Sequence, residues 1–235
     1  EAVLKNIDFS CHKGQKIAVI GSTGSGKSTL VKLMNRFYDV SRGSIEINGV
    51  DIRKYDLESL RAQIGYVAQK AHMFKGSIKS NICFGKPEAS DEEMHHAARV
   101  AQASDFISKR ENGYLDEIAE DGTNISGGQK QRLSIARVIL KKPSLYIYDD
   151  SFSALDFKTD ATLRKALKPE VKDAIFFVVA QRISTIMDSD MIIVLDEGQI
   201  IGLGTHLELL KNCSVYQEIA HSQLTQKELD DYERN

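Results

Sequence analysis

The sequence predicts an α/β fold built on a mainly parallel sheet, and three observations carry that expectation. Leu145–Asp149, Ile175–Ala180 and Met191–Asp196 are nearly continuous apolar runs, the pattern of parallel strands covered on both faces. Helical stretches lie between them. A glycine-rich loop, Gly21–Gly26, joins an apolar strand pattern to a helical one.

Taken in order, Val3–Phe9 and Lys16–Gly21 read as two strands separated by the turn His12-Lys13-Gly14. Leu30, Leu33, Met34 and Phe37 then recur at helical spacing, which predicts a helix from near Gly26 to about Tyr38. Ser41-Arg42-Gly43 is a turn, Ser44–Asn48 a strand, Asn48-Gly49 a hairpin-type turn and Ile64–Val67 a further strand. An antiparallel β part is therefore expected near the N-terminus. From Gln69 to Leu140 the chain reads as helical. Asp91–Ala103 and Gln129–Leu140 carry periodic apolar faces, the second through Leu133, Ala136 and Leu140. Gln199–Gly204 closes the sheet region, and the charged tail from Gln223 reads as a solvated helix or a frayed end. No internal repeat or low-complexity linker is present.

Of the 235 residues 42% are hydrophobic and 27% charged, an ordinary globular balance. The formal net charge of -2 gives no bulk attraction for nucleic acid or anionic lipid, and no nucleic acid is expected as a partner. Cys11, Cys83 and Cys213 are far apart and form no C-x-x-C pair, which suits reduced thiols better than a disulfide frame or a metal site. The longest apolar run, around Ala174–Ala180, is well short of the roughly 20 residues that a spanning helix needs. No signal-peptide pattern opens the chain. With no initiating Met, it is expected to be part of a larger protein.

Gly21-Ser22-Thr23-Gly24-Ser25-Gly26-Lys27-Ser28, followed by Thr29, matches G-x-x-x-x-G-K-[ST] between a strand and a helix. Glycines let the backbone close around phosphates with successive N–H groups pointing inward. Lys27 supplies a point charge to the β- and γ-phosphates, the Ser28 hydroxyl can ligate Mg²⁺, and the helix start adds its positive dipole end. A glycine-rich turn that binds nothing is the plain alternative, and the strand–loop–helix context argues against it. The apolar strand Leu145–Asp149 ends in an acid, where an aspartate can hold Mg²⁺ through water.

Ile125-Ser126-Gly127-Gly128-Gln129-Lys130-Gln131-Arg132 resembles the signature loop of ABC ATPases, the L-S-G-G-Q sequence, with Ile for Leu. The resemblance covers the whole chain in family order: the phosphate loop, a lone Gln69, the signature, the strand ending at Asp149, a D-loop Ser153-Ala154-Leu155-Asp156 and a switch stretch Ala180–Ile186. Gly202-x-Gly204-Thr205-His206, Glu208-Leu209-Leu210 and Glu120-Asp121-Gly122 are similar to exporter-type members in particular.

The resemblance implies a RecA-like P-loop NTPase core over residues 1–68 and 141–235. A helical signature subdomain is expected over 69–140, and a transmembrane domain upstream. It implies an ATPase using ATP and Mg²⁺ at the cytoplasmic face of a membrane, as part of a transporter. Two such domains are expected to pack head to tail around two ATPs. Each ATP lies on one domain's phosphate loop (Gly21–Thr29 here) under the other's signature loop. Ser126, Gly127, Gly128 and Gln129 would then cap a partner's γ-phosphate, with Asp156 of the D-loop nearby. Ser28, Asp149 and Gln69 are the expected metal residues, and Gln69 also senses the γ-phosphate. His72-Met73-Phe74 would lie near the membrane domain's coupling helices.

Two departures stand out. ABC ATPases follow the strand-end Asp with a Glu that polarises the attacking water, and here that residue is Asp150. They carry a His in the switch, and here it is Gln181. Asp is one methylene shorter than Glu, about 1.5 Å, and Gln cannot carry charge as His does. The signature is intact, and it serves the opposite site. The chain is therefore expected to be the slow half of a heterodimer whose partner keeps Glu and His but has an altered signature. The alternatives are a regulatory module that holds ATP with almost no hydrolysis, an Asp150 that works through a bridging water, or a soluble ABC ATPase. His95-His96 read as solvated surface, since adjacent residues diverge on a helix, and Lys141-Lys142-Pro143 as a helix end. The transported substrate is not written in this chain.

Overall fold

A computed structural model describes residues 3–225. In chain order its strands and helices are β1 (Lys16–Ile20), α1 (Lys27–Met34), β2 (Glu46–Ile47), β3 (Val50–Asp51), α2 (Leu57–Gln63), β4 (Ile64–Val67), β5 (Gly76–Ser77), α3 (Ile78–Ile82), α4 (Asp91–Val100), α5 (Ser104–Ile107), β6 (Glu117–Ile118), α6 (Gly127–Lys141), β7 (Leu145–Asp149), α7 (Phe157–Glu170), β8 (Ile175–Val179), α8 (Ile183–Ile186), β9 (Met191–Asp196), β10 (Gln199–Gly204), α9 (His206–Asn212) and α10 (Ser214–Gln223). The chain forms two compact units. One takes the chain up to Leu60 and from Ile175 onward; the other is Arg61–Ala174.

In the first unit β1 lies between β8 and β9 and is parallel to both. Ile17, Ala18 and Val19 are wholly buried, as are Phe177, Val178, Ile192 and Ile193 beside them. A strand with neighbours on both sides and cover on both faces has no solvent-facing side chain, hence the unbroken apolar runs. β10 turns back antiparallel on β9 with an irregularity between Ile200 and Gly202. β2 and β3 make the expected hairpin, with Asn48 at φ 53 and Gly49 at φ 75, the paired left-handed geometry of a type I′ turn.

Two expectations here are corrected. Val3–Phe9 is not a strand. Lys5 N donates to Gly198 O at 2.8 Å and Phe9 stacks on Phe177, but no strand among the described residues runs alongside it to form a ladder. α1 ends at Met34 rather than near Tyr38, because the Asn35 side chain turns back on Val31 O (2.9 Å) and Arg36 enters the left-handed region.

In the second unit β4 and β7 pair in parallel, Ile64 opposite Leu145 through Val67 opposite Tyr148. α6 packs against α3, α4 and β4 and buries Leu133, Ile135, Ala136, Ile139 and Leu140. α4 begins with a reciprocal Ser90–Glu93 cap and stops at Val100, short of Ala103, where Gln102 turns left-handed. The short antiparallel pair β5–β6 interrupts a stretch that reads as helical throughout. The described chain is thus mixed α/β with mainly parallel pairing, as expected. No helix among the described residues is long and apolar enough to cross a membrane. The residues of the charged tail past Thr225 lie outside the described range.

Candidate functional site

The loop between β1 and α1 is shaped by what its glycines permit. A Cβ on Gly21 would lie 2.0 Å from the Leu195 carbonyl oxygen, so no other residue passes this point. Gly24 sits at φ 86 with open space where a side chain would be. Gly26 caps α1 and, having no side chain, makes no side-chain cap bond to the helix start. Lys27 Nζ donates to Gly21 O (2.8 Å), Ser22 O (2.7 Å) and Ser25 Oγ (3.3 Å), so its ammonium is folded onto its own loop. Ser22 Oγ lies 3.3 Å from Asp196 Oδ1. Ser28 and Thr29 open α1, with Ser28 exposed. Loop N–H groups, a helix N-terminus and an ammonium form a donor set that fits a polyphosphate.

The acids of the second unit follow β7. Asp149, the strand's last residue, is 8% exposed, and Tyr66 Oη on neighbouring β4 donates to its Oδ2 at 3.2 Å. Burial, and then the negative charge beside it, push the Tyr66 phenol well above its ordinary range, so it stays a donor. Asp150 is 9% exposed and left-handed at φ 47. Gln69 Nε2 donates to Asp150 Oδ2 at 3.0 Å. Ser153 Oγ donates to the Asp150 carbonyl at 2.7 Å, which closes the turn. Gln131 on α6, 1% exposed, donates to Ala68 O at 3.1 Å and pins the residue before Gln69.

Ser126 and Gln129 form a capping box. Ser126 Oγ accepts from Gln129 N (3.2 Å) and Gln129 Oε1 accepts from Ser126 N (3.0 Å). Gly127 has open space around it, whereas a Cβ on Gly128 would stand 3.3 Å from Ala154 O. The start of α6 therefore rests on the 153–156 turn. Asp156 caps α7 by accepting from Thr159 N at 2.9 Å, and hydrogen bonding from the Thr159 side chain and then its backbone holds the carboxyl below the usual range. Arg132 lies over the Phe106 ring (4.9 Å) and donates to Gln102 O (2.8 Å).

Among the expected site residues, the second unit joins Gln69 to Asp150, and Ser126 to Gln129. Gly21–Thr29 and Gln181 belong to the first unit, Gln181 following β8 at the start of the turn into α8. Sequence reasoning gave no site role to Tyr66 or Gln131. A tyrosine inside an apolar strand and a glutamine inside a helical pattern were the available signals. His95 tilts against Tyr114 while His96 Nε2 lies 2.9 Å from Glu170 Oε1, so the two rings do diverge.

Residues 4–153 match the family model described as ABC transporter. The chain is 44% identical over 225 residues to Heavy metal tolerance factor 1 of Caenorhabditis elegans, covering 96% of this chain and 28% of that one. It is 45% identical over 219 residues to YgaD of Bacillus subtilis, a protein named for multidrug export with ATP-binding and permease parts; 93% of this chain and 38% of that one are covered. The structure of a bacterial Atm1-family ABC exporter with ATP bound superposes with a TM-score of 0.92 and 38% identity, over 95% of this chain and 40% of that one. The chain thus spans well under half the length of these relatives.

Proposed function

The chain belongs to the ABC transporter family and has the α/β P-loop fold of its ATP-binding domains, and from that premise we propose that it is an exporter's ATP-binding domain whose own site binds MgATP and hydrolyses it slowly. Residues 1–68 and 141–235 form the ATP-binding core in this reading and 69–140 the signature-bearing helical part. Gly21–Thr29 bind the phosphates, with Lys27 released from its loop carbonyls to the β- and γ-phosphates. Mg²⁺, which neutralises phosphate charge when bound, is assigned to Ser28 and Asp149 by their chemistry and motif positions. The exposed Ser126-Gly127 start of α6 completes the ATP site of a second, non-identical domain that carries Glu and His. A membrane domain, met through coupling helices, places the assembly at the cytoplasmic face.

The Gln69–Asp150 pair carries the slow-site part of this reading. A carboxylate that orients water must come within about 2.6–3.2 Å of it. Asp150 is a methylene short, buried, and engaged by Gln69. Misplacement by about 1 Å costs on the order of a hundredfold in rate. Gln181 donates a neutral hydrogen bond and cannot supply the charge of an imidazolium.

Single-turnover hydrolysis separates the possibilities. The native chain is expected to bind MgATP and turn it over slowly, and Asp150→Glu/Gln181→His to turn it over on the order of a hundredfold faster. Brisk turnover by the native chain overturns the slow-site reading. The same two residues favour a second reading, a regulatory module without hydrolysis; no turnover by either protein selects it.

A further inference from the structure

The switch stretch is gripped by one side chain from the end of the last described helix. Gln223 closes α10, and its Oε1 accepts from Ile183 N at 2.9 Å while its Nε2 donates to Gln181 O at 2.8 Å. The two bonds take hold of the backbone on either side of Arg182. Both cross about forty residues of sequence within one compact unit.

The need for such a grip is local. β8 ends at Val179, and Ala180 N still bonds Val19 O at 3.1 Å, so the chain is tied to the sheet up to that point. α8 is four residues long and its cap residue, Arg182, offers no side-chain bond to the helix start. Ile183 N is therefore a helix-start donor that local sequence does not satisfy, and Gln223 satisfies it from outside. Beyond the grip, Ile183 and Ile186 are wholly buried and α10 packs against α8. Gln181 and Arg182 are exposed.

We propose that Gln223 is a positioning residue for the nucleotide switch: by holding Gln181 O and Ile183 N it fixes the backbone from which the Gln181 side chain is presented to the γ-phosphate. The proposal rests on the reading of Gln181 given above. Gln223 acts through Gln181 and does not itself touch nucleotide. Two neutral bonds made by one exposed, rotamer-rich side chain are individually modest, so the grip is one that a change at the end of α10 can release.

The test compares affinities for the Mg complexes of a non-hydrolysable ATP analogue, adenylyl imidodiphosphate, and of ADP. Gln223→Leu keeps the side chain's bulk and removes both bonds. It is expected to weaken the triphosphate roughly fivefold, the scale of one lost hydrogen bond, and ADP by less than about twofold. In a Gln181→Ala background the same change is expected to have no further effect on the triphosphate. Equal losses for both nucleotides, an unchanged ratio, or full additivity with Gln181→Ala overturns the proposal. Should Gln223→Leu not fold, Gln223→Glu serves the same comparison, since it keeps an acceptor for Ile183 N and loses the donor to Gln181 O. A native chain that binds neither nucleotide refutes the underlying reading instead, so the two failures are distinct.

Discussion

Gln69 Nε2 donates to Asp150 Oδ2 at 3.0 Å and so joins the loop leaving β4 to the turn leaving β7. These strands are parallel hydrogen-bonded neighbours, so their C-terminal ends emerge side by side, and the pair closes the space between the two exits. Each half is secured from behind. Gln131 holds Ala68, and Ser153 holds the Asp150 carbonyl.

Asp150→Asn separates the charge of this carboxylate from its place in that frame. Asn retains an acceptor for Gln69 and tolerates a left-handed backbone well. Residual single-turnover hydrolysis is expected to fall at least about tenfold, less than the roughly hundredfold or more that a well-placed general base supplies, because Asp150 is already short of its water. MgATP affinity and thermal stability should change little. Hydrolysis equal to that of the native chain would show that the Asp150 carboxylate does no work in turnover.

The two loop glycines predict losses of different size for the same substitution. Gly21→Ala drives a methyl to 2.0 Å from the Leu195 carbonyl, a backbone clash that forces β1 or β9 to move. Overpacking of this kind costs roughly 1–3 kcal/mol or more, and a melting temperature lower by several degrees is expected. Gly24→Ala meets nothing within 4 Å and pays only the left-handed penalty at φ 86, about 1–2 kcal/mol. It should fold with a smaller loss of melting temperature. Thermal unfolding of both variants without nucleotide checks the order.

Much of this was legible because it is local or periodic. β7 and β9 run over the residues that the apolar pattern marks, Leu145–Asp149 and Met191–Asp196, since an acid ends each run. The Ser126–Gln129 cap follows from S-x-x-Q ahead of an apolar helix. Val3–Phe9 failed because an apolar segment supplies propensity and not a neighbouring strand. For Asp150, sequence alone shows a shorter acid where the family has Glu. Its left-handed backbone and its bond to Gln69 arise from a contact across 81 residues of chain. Gln131 is hidden for a related reason. A glutamine on a helix reads as solvated until a distant carbonyl is found above it.

Gln131→Leu tests that buried contact. The change keeps the volume and leaves the Ala68 carbonyl without the Gln131 donor. Removing one partner of a buried hydrogen bond costs about 1–3 kcal/mol, or a few degrees of melting temperature in a chain of this size. Hydrogen exchange should also rise locally at Ala68–Gln69, ahead of any change in the strands. Loss of stability with unchanged exchange there would mean that Gln131 does not hold the Gln69 loop.

His206 gives the chain an acid-sensitive joint at the start of α9. Its Nδ1 lies 2.7 Å from Tyr216 Oη on α10, the ring is 3% exposed, and the Tyr216 phenol is raised well above its ordinary value by burial. Burial lowers the imidazole from its usual value near 6.5. A group with a depressed folded pKa takes up its proton more readily when unfolded. The unfolded state therefore binds more protons just below pH 6.5, and stability falls as pH falls. The contribution is fully present above about pH 6.5 and is lost progressively on acidification toward the lowered folded value. The native melting temperature should decline between pH 7 and pH 5. His206→Gln, which keeps a polar group toward Tyr216 without titrating, should flatten that part of the profile. If both proteins lose stability in parallel over this range, other groups carry the acid response and His206 is silent.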